Sequence, residues 1–158
     1  MLDKVSRTFA LSIRFLPRVL RDSVGLAYIY AESGENLDRA LDLAQDAKAA
    51  LPDTATVADT LGWVLYKRGI PSAAISYLKE AVANSDGDIA VSGISMHHLA
   101  QAYEADGNPE KARETLQRAI AELDKHAAEQ RASGEPVRPE PAWAAEVRTM
   151  LARLERGG

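Results

Sequence analysis

The chain has 158 residues, 46% of them hydrophobic, with a formal net charge of −4 and no cysteine. That length and apolar content support one compact domain, and the acidic balance points away from nucleic acid as a partner. Without cysteine, disulfides, thiolate catalysis and cysteine-based zinc sites are excluded, and a reducing compartment is permitted.

The charge is uneven along the chain. Residues 1–30 hold Lys4, Arg7, Arg14, Arg18 and Arg21 against Asp3 and Asp22, a net of +3 that leaves −7 for the remainder. Leu2, Val5, Phe9, Ile13, Leu16 and Leu20 recur at three- and four-residue steps, which predicts an amphipathic helix over 3–15. Pro17 breaks it and opens the next helix. Arg7 and Arg14 interrupt every apolar run, so the start does not read as a secretory signal. No stretch approaches the roughly 18 to 20 apolar residues that cross a bilayer, and the expected location is cytoplasmic.

Further along, apolar periodicity and turn residues predict helices at 18–33, 38–50, 55–68, 71–84, 91–105 and 109–130. Leu26-Ala27, Leu61-Gly62 and Leu99-Ala100 are followed by Ala40, Ala74 and Ala112 on the next helix, 14, 13 and 13 residues after the Leu. The extra residue in the first unit is expected in the turn Gly34-Glu35-Asn36. Small residues at these positions let two helices approach closely, while Leu61, Leu65, Leu78 and Leu99 fill the space between layers. Arg68-Gly69 and Asp106-Gly107 end a helix, and Pro71 and Pro109 open the following one. The Ala markers stand 34 and then 38 residues apart, and the four added residues are expected in the loop Asn84–Asp88. "SGEPVRPEP", Ser133 to Pro141, cannot be helical throughout. "AWAAEVRTMLARL", Ala142 to Leu154, resumes an amphipathic helix with Trp143, Val147, Met150, Leu151 and Leu154 on one face.

The Leu-Gly, aromatic and Ala markers resemble the tetratricopeptide repeat family over about residues 24–123. The resemblance implies an all-α fold, a right-handed superhelical stack of about three helix pairs with an N-terminal helix and a C-terminal capping helix. The expected organisation is a leading helix over 1–16, the repeat array over 17–132, a linker over 133–141 and a cap over 142–158. It further implies a non-enzymatic scaffold that holds a protein or peptide segment in its concave groove, with no cofactor. The leading helix is expected to cover the open end of the stack; the competing reading lays it on an anionic membrane. The apolar ends of such stacks also leave a homodimer through a terminal face open.

A second resemblance lies at the start. "VSRTFALSIRFLPRVLRDSVGLAYIYA", Val5 to Ala31, is similar to the opening helices of squalene/phytoene synthases, through Ser6 and Phe9, Leu16-Pro17, Leu20-Arg21 and Tyr28. In that family the next helix carries an Arg and paired carboxylates that hold Mg²⁺ against a diphosphate. Continued without gaps, this sequence offers Glu32, Glu35 and Arg39 there, a charge reversal that breaks such a site. The chain therefore reads as a mosaic or chimera, natural or constructed. Its alternative functions are residual prenyl-diphosphate binding or a structure without a ligand.

The first helix of each pair lines the groove in the repeat family. On 55–68 that face holds Thr56, Asp59, Trp63, Tyr66 and Lys67; on the third unit it holds His97, Gln101 and Glu104, with His98 nearer the edge. Trp63 is the expected binding anchor, weighed against simple packing on a neighbouring helix. His97 is expected to hydrogen-bond in the groove or to meet Asp59. Adjacent helical residues point about 100° apart, so His97-His98 does not have the spacing of a metal pair. No Gly-rich phosphate loop is present, and Ser95 assembles no catalytic set with these histidines.

Overall fold

The computed structural model describes residue 9 and residues 13–157. A 3₁₀ turn, Ile13–Phe15, leads into seven helices: α1 Arg18–Ser33, α2 Leu37–Ala50, α3 Ala55–Lys67, α4 Pro71–Ala83, α5 Ile89–Ala105, α6 Pro109–Ala132 and α7 Ala142–Arg156. There is no strand among the described residues, and the fold is an all-helical stack.

Local chemistry sets the helix ends. Gly69 and Gly107 adopt φ 78°, where an L side chain is strained, and the residues after them close the helix end: Ile70 N donates to Leu65 O and Asn108 N to Tyr103 O, at 3.0 and 2.8 Å. Pro71 and Pro109 then occupy the first helical position, where a missing N–H costs nothing. Asp88 caps α5 by accepting from Ala90 N and Val91 N. In the first turn Asn36, at φ 51°, supplies the one residue more that separates Leu26 from Ala40.

The expected position of the four-residue insertion is corrected. The loop 84–88 is one residue longer than the loop 51–54, while the preceding α4 is one residue shorter than α2. All four residues go into α5, which has 17 residues where α3 has 13. Four residues are about one helical turn, so α5 gains a turn at its start without rotating the faces that follow.

Helices α1, α3, α5 and α7 touch in succession, and α2, α4 and α6 each pack between two of them. The odd-numbered helices thus form one layer and the even-numbered helices the other. Two apolar clusters fill the space between. One runs from Phe9, Ile13 and Val24 through Ala40 and Leu43 to Leu61 and Trp63; the other runs from Leu78 through Met96, Leu99 and Leu116 to Trp143 and Val147. Leu65 and Tyr66 pack against both.

The leading helix expected over 3–15 lies for most of its length outside the described residues. What is described shows buried Phe9 stacked on Tyr28 with ring centroids 3.9 Å apart, Ile13 buried beside it, and a 3₁₀ turn where the α-helix was expected to end. At the other end α7 lays Trp143, Ala144, Val147, Met150 and Leu154 on α5 and α6, with Arg148 and Arg153 outward. Gly93 makes the seat, since a Cβ there would fall inside contact distance of the Trp143 ring.

Candidate functional site

One concavity of about 230 Å³ opens on the odd-numbered layer. Its walls take Tyr28 and Glu32 from α1, Trp63 and Lys67 from α3, His97, His98 and Gln101 from α5, and Glu146 from α7. Each successive unit contributes because the odd helices lie side by side, so residues at matching positions form a row.

The floor of this concavity is an ordered polar and aromatic network. The Trp63 indole N–H donates to Glu32 Oε1 at 2.7 Å, and its ring stacks on His98 at 4.0 Å and Tyr66 at 4.9 Å. Lys67 Nζ stands 4.8 Å from the same ring and 3.8 Å from the Glu32 carboxylate. Beneath them His98 Nδ1 donates to both Asp59 oxygens, at 3.1 and 3.0 Å, with both side chains buried. The hydrogen bonds and the ring stack compensate each other's burial: the carboxylate is satisfied by the imidazole N–H, and the imidazole is covered by an indole.

His97 faces the concavity. Gln101 Nε2 donates to His97 Nε2 at 3.3 Å, which leaves the imidazole hydrogen on Nδ1, a buried atom without a partner. Burial, reinforced by the neighbouring His98 and opposed by Asp59, lowers its pKa to about 4. His97 is therefore neutral across the physiological range.

Of the residues expected to line the groove, Trp63, Lys67, His97 and Gln101 come together there. Thr56 and Asp59 do not reach its surface. The reason is that α3 is packed by α1, α2, α4 and α5, so every residue from Ala55 to Val64 is buried. Only the C-terminal part of α3 meets the opening. Trp63 itself is 4% exposed with its ring and its N–H occupied, so it is a wall of the concavity and has no protruding surface. Tyr66 stands behind it, stacked on its ring, its hydroxyl pKa raised by burial and by Glu104. Glu104 lies outside the concavity, held by Arg153 of α7 through two hydrogen bonds of 2.6 and 2.7 Å that lower its pKa.

The contact expected between His97 and Asp59 is also corrected: Asp59 pairs with His98, which is 1% exposed and sits in the interior instead of at the edge. Two adjacent residues point about 100° apart, and it is His98 that turns toward α3. Glu32, Tyr28 and Glu146 were not among the expected residues. The register carried the signal for the first two: Leu26 aligns with Leu61, which sets Tyr28 beside Trp63 and Glu32 beside Lys67. Glu32, placed by the synthase resemblance at an altered metal site, is committed to Trp63 and Lys67. Among the described residues no three His, Asp or Glu side chains converge to hold a metal ion, and no helix is long and apolar enough to cross a membrane.

Residues 65–133, from the end of α3 to just past α6, match the tetratricopeptide repeat family. The match lies wholly outside Val5 to Ala31, where the synthase resemblance resides. No curated protein matches the chain. Tetratricopeptide repeats generally mediate protein–protein interaction.

Proposed function

We propose that the chain is a non-enzymatic interaction scaffold that holds an extended peptide segment of a partner protein in the concavity between α1, α3, α5 and α7. The observation that supports this is the row of polar side chains, Glu32, Lys67, Gln101 and Glu146, contributed by four successive odd helices to one opening. Such a row can meet successive positions of one bound strand. The Trp63, His98 and Asp59 network beneath it fixes the side chains of the walls before any partner arrives, which limits the ordering cost of binding.

The experiment is selection from a displayed peptide library on the intact chain, followed by affinity measurement on a Lys67→Ala, Gln101→Ala, Glu146→Ala variant. None of these three side chains is fully buried, so helical circular dichroism and melting should match the parent. Selected peptides should bind the variant at least about tenfold more weakly, as expected for losing charged hydrogen bonds at a rim. Peptides that bind both proteins equally, or a failure to select any, would overturn the assignment.

A further inference from the structure

A second cavity, of about 400 Å³, lies where the chain departs most from a regular repeat, and it shares no lining residue with the groove. Three departures build it. The extra first turn of α5 supplies Ile89, the prolonged C-terminal half of α6 supplies Leu123 and Ala127, and the linker supplies Val137, Pro139 and Pro141. The linker is folded back over α6 by Gln130, which is buried; its carbonyl accepts from Glu135 N at 3.0 Å and its Oε1 accepts from Arg138 N at 3.3 Å. Arg148 of α7 ties down the other end through Glu140 at 2.7 Å.

The wall formed by these residues is apolar, while Arg131 and Arg138 flank it with no ion pair among the described residues. Asp124 and His126 also belong to the lining, on α6, with Asp124 two turns before Arg131 on the same face. Glu140 is already neutralised by Arg148, so two free guanidinium groups face one free carboxylate. An apolar body with one anionic end satisfies both features, burying carbon against Leu123 and Val137 and placing its charge between the arginines. The volume falls within the roughly 300 to 1,000 Å³ usual for small-molecule sites. We infer that this cavity binds a small amphiphilic anion, a carboxylate with a short aliphatic tail.

The test titrates the full chain with octanoate at pH 7.5, with octan-1-ol as the neutral control, following backbone amide shifts of Ala90, Leu123, Ala127 and Val137. Saturable one-to-one octanoate binding at these residues is expected, with octan-1-ol weaker by about tenfold or more. Arg131→Gln with Arg138→Gln should bring octanoate down to the level of octan-1-ol, and Ala127→Phe, by filling the space, should abolish both. The double arginine variant leaves the apolar wall intact, so it decides the matter if Ala127→Phe fails to fold. No saturable shift, octan-1-ol bound as tightly as octanoate, or octanoate indifferent to the loss of both arginines would each overturn the assignment. A change in oligomeric mass on Ala127→Phe without any octanoate response would give the cavity to a second copy of the chain and overturn it too.

Discussion

Replacing Gly93 by Ala sets two opposed effects against each other, and the fold decides which wins. In a helix interior Ala is favoured over Gly by about 1 kcal/mol. At this position, however, the added Cβ would fall inside contact distance of three ring atoms of Trp143, of which the most distant is 2.6 Å away. Trp143 is fully buried, so the ring has nowhere to retreat and α7 must tilt or lift. Tilting costs about 1–3 kcal/mol, the usual range for an overfilled core. Complete undocking of an indole of about 200 Å² would cost about 5 kcal/mol at about 25 cal/mol per Å². Setting the helix gain against the tilt leaves a net loss of up to about 2 kcal/mol, read as a lower urea midpoint and a melting temperature down by up to roughly 8 °C. In a Trp143→Ala background the obstruction is gone, and the same substitution should become neutral or stabilising by up to about 1 kcal/mol. Gly25 is the control: a Cβ there meets only Ile13 Cδ1, at 3.4 Å, so Gly25→Ala should stabilise by about 0.5–1 kcal/mol. If Gly93→Ala exceeds the parent in stability, as Gly25→Ala should, Trp143 does not pack on Gly93 and α7 is not docked as described.

Asp59→Ala leaves the His98 imidazole buried without its acceptor and should destabilise by about 1–3 kcal/mol in urea unfolding. A loss below about 1 kcal/mol would mean that the pair is open to water. Protonation of His97 supplies a pH test: its folded pKa of about 4 lies below the unfolded 6.5, so the unfolded chain takes up the proton first as pH falls. The stability linked to its neutral form is complete above pH ~6.5 and is lost toward pH ~4, about 2 kcal/mol of it between pH 7 and 5. His97→Gln should flatten that part of the urea-midpoint profile, and an unchanged slope would show that another group carries it. Arg153→Ala should cost only about 0.5 kcal/mol, falling further in 1 M NaCl, because the pair it forms with Glu104 is half exposed. A loss several times larger would mean that this contact, and not Trp143, anchors α7.

The helices were legible almost to the residue because their signals are local. Gly69, Pro71, Gly107 and Pro109 act through one turn of backbone, and the Leu and Ala markers act through packing that repeats from unit to unit. The burial of Thr56 and Asp59 was not legible, since it arises from four neighbours surrounding α3 and not from any property of α3 itself. Both read as part of the groove face, whereas Thr56 is buried and Asp59 is an interior carboxylate satisfied by His98. The choice between His97 and His98 turned on one step of helical rotation, finer than a sequence pattern resolves. Tyr28 and Glu32 were accessible in principle, because the register that places Trp63 and Lys67 in the groove places them beside it.

The irregular parts of the chain have a common consequence. A plain unit of the stack would leave open to water the last face of α5 and α6, which Trp143, Val147 and Leu154 of α7 cover. The extra turn of α5 extends that face by Ile89, one turn before the Gly93 on which Trp143 sits, while the added length of α6 carries the chain far enough for the linker to fold back and deliver α7 to it. Covering the face requires α7 to lie where the first helix of a further unit would lie, beside α5 in the odd-numbered layer. That position also carries Glu146 to the groove. Closing the stack and completing the concavity are thus one arrangement, so a variant that lifts α7, such as Gly93→Ala, should weaken a groove-bound peptide even though Gly93 lies outside the groove.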